Sequence, residues 1–138
     1  HLIGNAVALY VLGMACEHAG GAAVMAVVYL ASALAGSAAS VAMGPGPSVG
    51  ASGAIFGVLG AVVVLLARNR ERFHVRDKRI GGVLAVWAAI TLLQGWLTPM
   101  VDNAAHLGGL AAGALAALAL GDRMIARLVG RASRDALA

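Results

Sequence analysis

Residues 50–60, with the sequence GASGAIFGVLG, lie in a long stretch of chain that carries no charged side chain. No Asp, Glu, Lys or Arg occurs between His18 and Ala67. Because an α-helix needs about 20 apolar residues to cross a bilayer, this stretch is long enough for two crossings. Ser52 and its flanking glycines therefore fall in a part of the chain that is predicted to lie in a membrane.

The composition of the whole chain favours the same interpretation. Hydrophobic residues make up 61% of the 138 residues and charged residues only 12%, whereas soluble domains carry roughly 25% charged residues. A chain of this length has room for about five membrane-spanning helices and for no separate soluble domain. The single cysteine, Cys16, excludes an internal disulfide.

The basic residues are confined to two clusters. All ten Lys and Arg side chains belong either to a loop at 68–79 or to the tail at 123–134. Basic clusters beside long apolar runs are typical of the cytoplasmic loops of membrane proteins. We therefore expect membrane lipids, and no nucleic acid, to be partners of these clusters.

Polar breaks divide the chain into five apolar segments, which we predict to be helices at 1–16, about 22–43, about 50–67, 80–97 and about 104–120. Pro45 and Pro47 exclude one long helix across the second break. The predicted fold class is therefore all-α, a polytopic transmembrane helical bundle. We divide it into a transmembrane core at 1–122 and a basic, amphipathic cytoplasmic tail at 123–138.

The orientation of the bundle follows from alternation of the segments. If the loop at 68–79 is cytoplasmic, the third segment enters it from outside and the fifth returns to a cytoplasmic tail. Ser52 and His106 begin the third and fifth segments, and His1 begins the first. All three residues are thus predicted to lie near the outer face of the membrane.

His106 and Ser52 are candidates for chemistry at this depth. An ionisable residue within a membrane is costly and is by default a functional hypothesis, although a packing histidine remains an alternative. Gly50 and Gly53 flank Ser52, whose amide lies at a helix N-terminus where free donors stabilise an oxyanion. The alternative for Ser52 is a serine that bonds its own helix or tightens helix packing.

The segments that carry Ser52 and His106 each contain a series of regularly spaced small residues. Gly53 and Gly57 are four residues apart on the third segment, and Gly109 and Gly113 are four apart on the fifth. Small residues at this spacing allow membrane helices to approach closely. Because His106 shares a face with the second pair, packing of the two series is predicted to bring it within hydrogen-bond reach of Ser52.

These residues and their order resemble the core of the rhomboid intramembrane serine proteases. The matching positions are His1, Asn5, Gly50, Ser52, Gly53, Phe56, Gly57, Asn103, His106, Gly109 and Gly113. The resemblance implies a rhomboid-like fold and hydrolysis of peptide bonds in or near transmembrane segments of other proteins. It implies Ser52 as nucleophile and His106 as general base and then acid, without a cofactor or a metal.

The same resemblance implies an oxyanion site formed by His1, Asn5 and the backbone amide of Ser52. His1 and Asn5 are four residues apart and so share one helical face. Phe56 stands where the family often has a tyrosine against the histidine, and it can stack on His106 without supplying a hydroxyl. Asp102 is interpreted first as a helix N-cap, with orientation of His106 in a triad as the alternative.

Rhomboid proteases have at least six transmembrane helices, and the first of them is not represented here. We therefore expect a fragment, lacking its first helix, of a six-helix fold. The short loops and the composition rich in Ala, Gly and Arg suggest a bacterial cell (inner) membrane. The alternative function is a non-catalytic rhomboid-like protein that binds or routes membrane proteins. Inactive relatives lack the serine or the histidine, and this chain has both.

Overall fold

A computed structural model describes residues 2–43, 50–68, 75–97 and 101–135. Within these ranges all regular secondary structure is helical, in the elements α1 (Leu2–Gly20), α2 (Ala22–Met43), α3 (Ser52–Arg68), α4 (Val75–Leu97) and α5 (Asn103–Asp135). The predicted all-α bundle is confirmed.

Three stretches of these helices are long and apolar enough to cross a membrane: Leu2–Gly20, Ala22–Met43 and Asn103–Leu120. The apolar parts of α3 and α4, Ser52–Arg68 and Val86–Leu97, are shorter. Large apolar side chains on the outside of the bundle remain exposed, among them Leu34, Val41 and Trp96. Large apolar side chains on the outer surface are what an integral membrane protein presents to lipid.

The link between α1 and α2 is a single residue, Gly21. Its φ of 86° is a left-handed conformation that glycine adopts without a steric penalty. The amide of Gly21 donates to the carbonyl of Glu17 at 2.8 Å, which satisfies one of the free carbonyls at the end of α1. The first helix therefore runs to Gly20, beyond the predicted end at Cys16, because exposed Glu17 and His18 fit in its last turn.

Helix α3 is the centre of the bundle. Its residues from Gly53 to Val62 are all buried, so this helix is covered on every side. The neighbours that cover it are chiefly α5, α2 and α1, whereas α4 lies at the edge and contacts mainly α3 and α5. An apolar surface on all sides is compatible with this central position.

The crossing of α3 and α5 depends on glycine. A Cβ added at Gly109 would overlap the carbonyl oxygen of Gly53, and one added at Gly113 would overlap that of Gly57. A Cβ added at Gly57 would in turn lie 2.8 Å from the carbonyl oxygen of Gly109. The two backbones are therefore in direct contact, as the spacing of these glycines predicts.

Helix α2 packs against the same crossing through a stripe of residues four apart. The stripe consists of Val24, Val28, Ser32, Gly36 and Ser40, all of which are buried. A Cβ added at Gly36 would lie 2.8 Å from the carbonyl oxygen of Ala105 on α5. Small residues on α2 thus let it approach α5 beside α3.

Two helices are longer than the apolar segments predict. Helix α4 begins at Val75, five residues before the predicted start at Ile80, and α5 continues past Leu120 to Asp135. Arg and Lys are good helix formers, so a helix need not end where its apolar stretch ends. The backbone of α5 runs through residue 122 without a break, and the division of the chain at that residue stays a prediction.

We expect Gly113→Ala to destabilise the bundle, because the new methyl group has to separate α3 from α5. Overpacking of this kind costs about 1–3 kcal/mol. Thermal unfolding in detergent micelles, followed by circular dichroism, measures the loss. Gly4→Ala is the matched control, since a Cβ at Gly4 meets no atom of the described residues within 4 Å. Equal stability of the two variants would contradict the close crossing.

Candidate active site

Ser52 is the first residue of α3, directly after a turn at Gly50. Gly50 has a φ of 146°, a conformation that residues with a side chain rarely adopt. The first hydrogen bond of the helix joins the amide of Ile55 to the carbonyl of Ala51 at 3.0 Å. The amides of residues 52–54 precede this bond, so the helix itself does not use them.

His106 lies in the first turn of α5 and is 3% exposed. Asp102 precedes the helix and caps it, since its Oδ1 accepts a hydrogen bond of 2.9 Å from the amide of Ala105. The carbonyl of Asp102 also accepts from the amide of His106 at 3.2 Å. This geometry is that of an N-cap residue, the first interpretation made from the sequence.

The two helix starts meet above the glycine crossing. His106 Nε2 and Ser52 Oγ are 2.9 Å apart, a hydrogen-bond distance. A Cβ added at Gly53 would lie 3.1 Å from the carbonyl oxygen of Ala105, so the backbones nearly touch beside this pair. The predicted approach of Ser52 to His106 is thus present in the structure.

Phe56 holds the imidazole from one face. The rings of Phe56 and His106 are stacked, with centroids 4.3 Å apart and an angle of 10° between their planes. Trp87 of α4 lies on Phe56 in turn, with centroids 6.2 Å apart and an angle of 31°. Phe56 is 1% exposed, so it has little freedom to move away from the imidazole.

No described residue bonds to the second ring nitrogen of His106. Nδ1 is buried and has no hydrogen-bond partner among the described residues. A triad would require a carboxylate at this atom. Within the described residues, the imidazole bonds to Ser52 and stacks on the Phe56 ring, and no carboxylate bonds to Nδ1.

A cavity of about 450 Å³ opens beside Ser52, between α2 and the start of α3. Its walls include Tyr29, Gly36, Ser37 and Ser40 from α2, together with residues 50–54 and Ala105. No sequence pattern predicted that Ser37 and Ser40 line a cavity beside Ser52. The available signal was their position on α2 one turn apart, which is not distinguishable in a sequence from ordinary helix packing.

The other residues that the sequence predicts for the site lie on several different elements of the structure. Asn5 lies on α1 and is partly buried, with no hydrogen bond to Ser52 or His106 in the structure. His1 lies outside the described residues. Asn103 begins α5 one turn before His106 and bonds to the backbone of α4. Gly50, Gly53, Gly57, Gly109 and Gly113 form the turn and the crossing described above.

The family model of the rhomboid domain matches residues 1–123 of this chain. The chain belongs to the rhomboid family. Rhomboid protease GluP of Bacillus subtilis (strain 168) is 42% identical over 121 residues, which are 88% of this chain and 23% of that protein. Rhomboid protease AarA of Providencia stuartii is 33% identical over 146 residues, covering 86% of this chain and 50% of that protein.

The family also contains relatives that are named as inactive. Inactive RHOMBOID-like protein 8 of Arabidopsis thaliana is 30% identical over 110 residues, which are 79% of this chain and 31% of that protein. The chain thus spans about a quarter to a half of the length of these relatives. No solved structure matches it significantly. Family membership and apolar helices together identify an integral membrane protein from a family that includes intramembrane proteases.

We expect Asp102→Ala to lower the stability of the rhomboid bundle by about 1 kcal/mol, because the first turn of α5 loses its cap. Asp102→Ser restores an oxygen that accepts from the same amide, so it is expected to recover most of the loss. Thermal unfolding of both variants in the same detergent provides the measurement. If Asp102→Ser is as unstable as Asp102→Ala, the capping role is wrong.

Proposed function

We propose that this chain is the catalytic core of an intramembrane serine endopeptidase that cleaves peptide bonds in or near the transmembrane segments of other proteins. The observation that carries the proposal is the distance of 2.9 Å between Ser52 Oγ and His106 Nε2. Hydrogen bonding to a neighbouring base is what turns a weak serine hydroxyl into a nucleophile. Kinship with proteins named as rhomboid proteases supports this reaction class.

In the proposed reaction, Ser52 Oγ attacks the carbonyl carbon of the scissile peptide bond while His106 Nε2 takes the hydroxyl proton. The protonated imidazole then gives this proton to the departing amine, and an acyl-enzyme remains on Ser52. A water molecule, deprotonated by His106, attacks the acyl carbon and releases the new carboxyl end. Ser52 regains its proton, so the enzyme returns to its starting state.

The negative charge on the attacked oxygen needs donors that are already in place. The amide of Ser52 is one of the free donors at the start of α3, and we assign it this role. Asn5 and His1 are proposed as further donors on the resemblance to the family. Asn5 is partly buried on α1, and α1 packs against α3.

The proposed location is a bacterial inner membrane, with the Ser52 and His106 pair toward the outer side. Ser52 and Arg68 occupy opposite ends of α3, which at 1.5 Å per residue is about 24 Å long. Arg68 is the last residue of α3 and the first of the clustered basic residues at 68–79, and such clusters remain on the cytoplasmic side. Transmembrane proteins that enter from the lipid are the proposed substrates, and the lipids themselves surround the exposed apolar faces.

A second candidate function is a rhomboid-like protein that binds membrane proteins without cleaving them. The relative named as inactive is the observation in its favour. A binding protein does not require a serine to face a histidine at hydrogen-bond distance. The geometry of Ser52 and His106 therefore favours the enzyme.

Labelling by a serine-directed fluorophosphonate tests the nucleophile. We expect the probe to modify Ser52, and we expect Ser52→Ala and His106→Ala to lose the label. Asp102→Ser keeps the helix cap and is expected to be labelled at nearly the wild-type rate, because the proposed site is a dyad. Peptide mass spectrometry identifies the modified residue. The assay uses this chain and a version extended at the N-terminus.

Two results would count against this assignment. Absence of label on Ser52 in both versions, with a known serine hydrolase labelled in parallel, would favour the binding protein. A loss of labelling in Asp102→Ser as large as that in His106→Ala would replace the dyad by a triad.

Asn5→Ala tests the oxyanion assignment. Removal of one such donor costs about 3 kcal/mol of transition-state stabilisation in soluble serine proteases, or roughly a hundredfold in kcat. We expect a loss of this size in the cleavage of a transmembrane substrate in liposomes, with KM nearly unchanged. Gly4→Ala, on the same helix, is the control. A normal kcat for Asn5→Ala would remove Asn5 from the site.

A further inference from the structure

The described side chains of helix α4 contact the rest of the bundle at few points. Most of its described side chains are exposed, and Ala88 is the buried one among them. Leu92 is partly buried against the core, and Trp87 lies on Phe56. A hydrogen bond from Asn103 adds to these contacts. Among the described side chains, few therefore hold α4 in position.

Asn103 is the first residue of α5, and its side chain spans the gap to α4. Its Nδ2 donates a hydrogen bond of 3.1 Å to the carbonyl oxygen of Leu92. A carbonyl oxygen has two lone pairs, so it accepts this bond in addition to one within its own helix. The bond joins the outer end of α4 to the helix start that carries His106.

Gly95 makes room for this contact. A Cβ added at Gly95 would lie 2.7 Å from Cγ and 2.9 Å from Nδ2 of Asn103. Any larger residue at position 95 would push the amide away from Leu92. The bond from Asn103 on α5 to Leu92 therefore requires a glycine at position 95 on α4.

Fold stability alone does not account for an asparagine at this position. Oδ1 of Asn103 is buried and has no hydrogen-bond partner among the described residues. An unpaired buried acceptor is unfavourable, and an apolar side chain of similar volume would avoid that cost. We explain the side-chain amide of Asn103 by its bond to Leu92, which fixes the position of α4 relative to α5.

The position of α4 affects the candidate site because Trp87 of α4 packs against the Phe56 ring of the stack that Phe56 and His106 form. Trp87 lies against Phe56, and Phe56 is stacked on the imidazole. With Nδ1 unbonded to any described residue, the imidazole owes its orientation to the stack and to Ser52. Displacement of α4 would withdraw Trp87 and leave Phe56 without support on that side.

We propose that Asn103 is a positioning residue: it fastens α4 to the start of α5, so that Trp87 supports Phe56 and Phe56 holds the His106 ring toward Ser52. This inference rests on the proposed serine protease function. It assigns to α4 the orienting task that a third polar residue performs in a triad.

Asn103→Ala and Trp87→Leu, alone and combined, test the proposal. A misplaced imidazole should lower both the fluorophosphonate labelling rate of Ser52 and kcat, by roughly tenfold to a hundredfold, while KM changes little. Because both residues act through one path, the double variant is expected to lose no more than about the larger single loss. Trp87→Phe keeps a ring and is expected to restore most of the rate.

Thr91→Ala is the matched control on the same helix. The Thr91 hydroxyl donates to the carbonyl of Trp87 within α4 and joins no two helices. We expect its labelling rate and kcat to equal those of the wild type.

A readout independent of turnover is the ¹⁵N spectrum of the His106 ring in detergent micelles. We expect its resonances to shift or broaden in Asn103→Ala and to stay unchanged in Thr91→Ala. Additive losses in the double variant, or an unchanged ring spectrum in Asn103→Ala, would overturn the proposal. If the wild type is not labelled while the ring spectrum responds as expected, the protease function fails and the positioning role of Asn103 stands.

Discussion

The structure depends on backbone contact between α3 and α5, which is possible only because five residues at their crossing are glycines: Gly53, Gly57, Gly60, Gly109 and Gly113. The carbonyl oxygens of Gly53 and Gly57 occupy the space that a Cβ on Gly109 or Gly113 would need. In a bilayer there is little hydrophobic gain from bringing two apolar helices together, so close packing has to supply the attraction. The crossing therefore determines both the stability of the bundle and the separation of the two helix starts.

The candidate site follows from that separation. Ser52 and His106 each lie in the first turn of a helix that enters the crossing, and their side chains meet at 2.9 Å. The turn at Gly50 and the cap by Asp102 define where the two helices begin. Phe56 then fixes the plane of the imidazole, and α4 supports Phe56 from outside. A membrane supplies the low dielectric in which such contacts are strongest.

The parts of this arrangement that depend on local sequence could be predicted. Glycines four residues apart indicated the crossing, two prolines separated the second helix from the third, and Asp102 indicated the cap of the fifth. The bond from Asn103 to Leu92 could not be predicted, because it depends on how α4 is placed against α5 in space. The cavity beside Ser52 was missed for the same reason, since its walls come from separate helices. The end of α1 differs from the sequence prediction because Glu17 and His18 are polar but remain helical at the exposed end of the helix.

The most direct test asks whether the glycine crossing of α3 and α5 controls the reactivity of Ser52. In Gly113→Ala, the rate at which a fluorophosphonate labels Ser52 should be measured at a temperature where circular dichroism shows intact helices, beside Gly4→Ala. Gly113 touches neither Ser52 nor His106, so a direct effect on the chemistry is not expected. We predict that labelling falls at least tenfold in Gly113→Ala, because separation of the two helices moves Ser52 away from His106. Labelling at the rate of Gly4→Ala would contradict the claim that the glycine crossing creates the site.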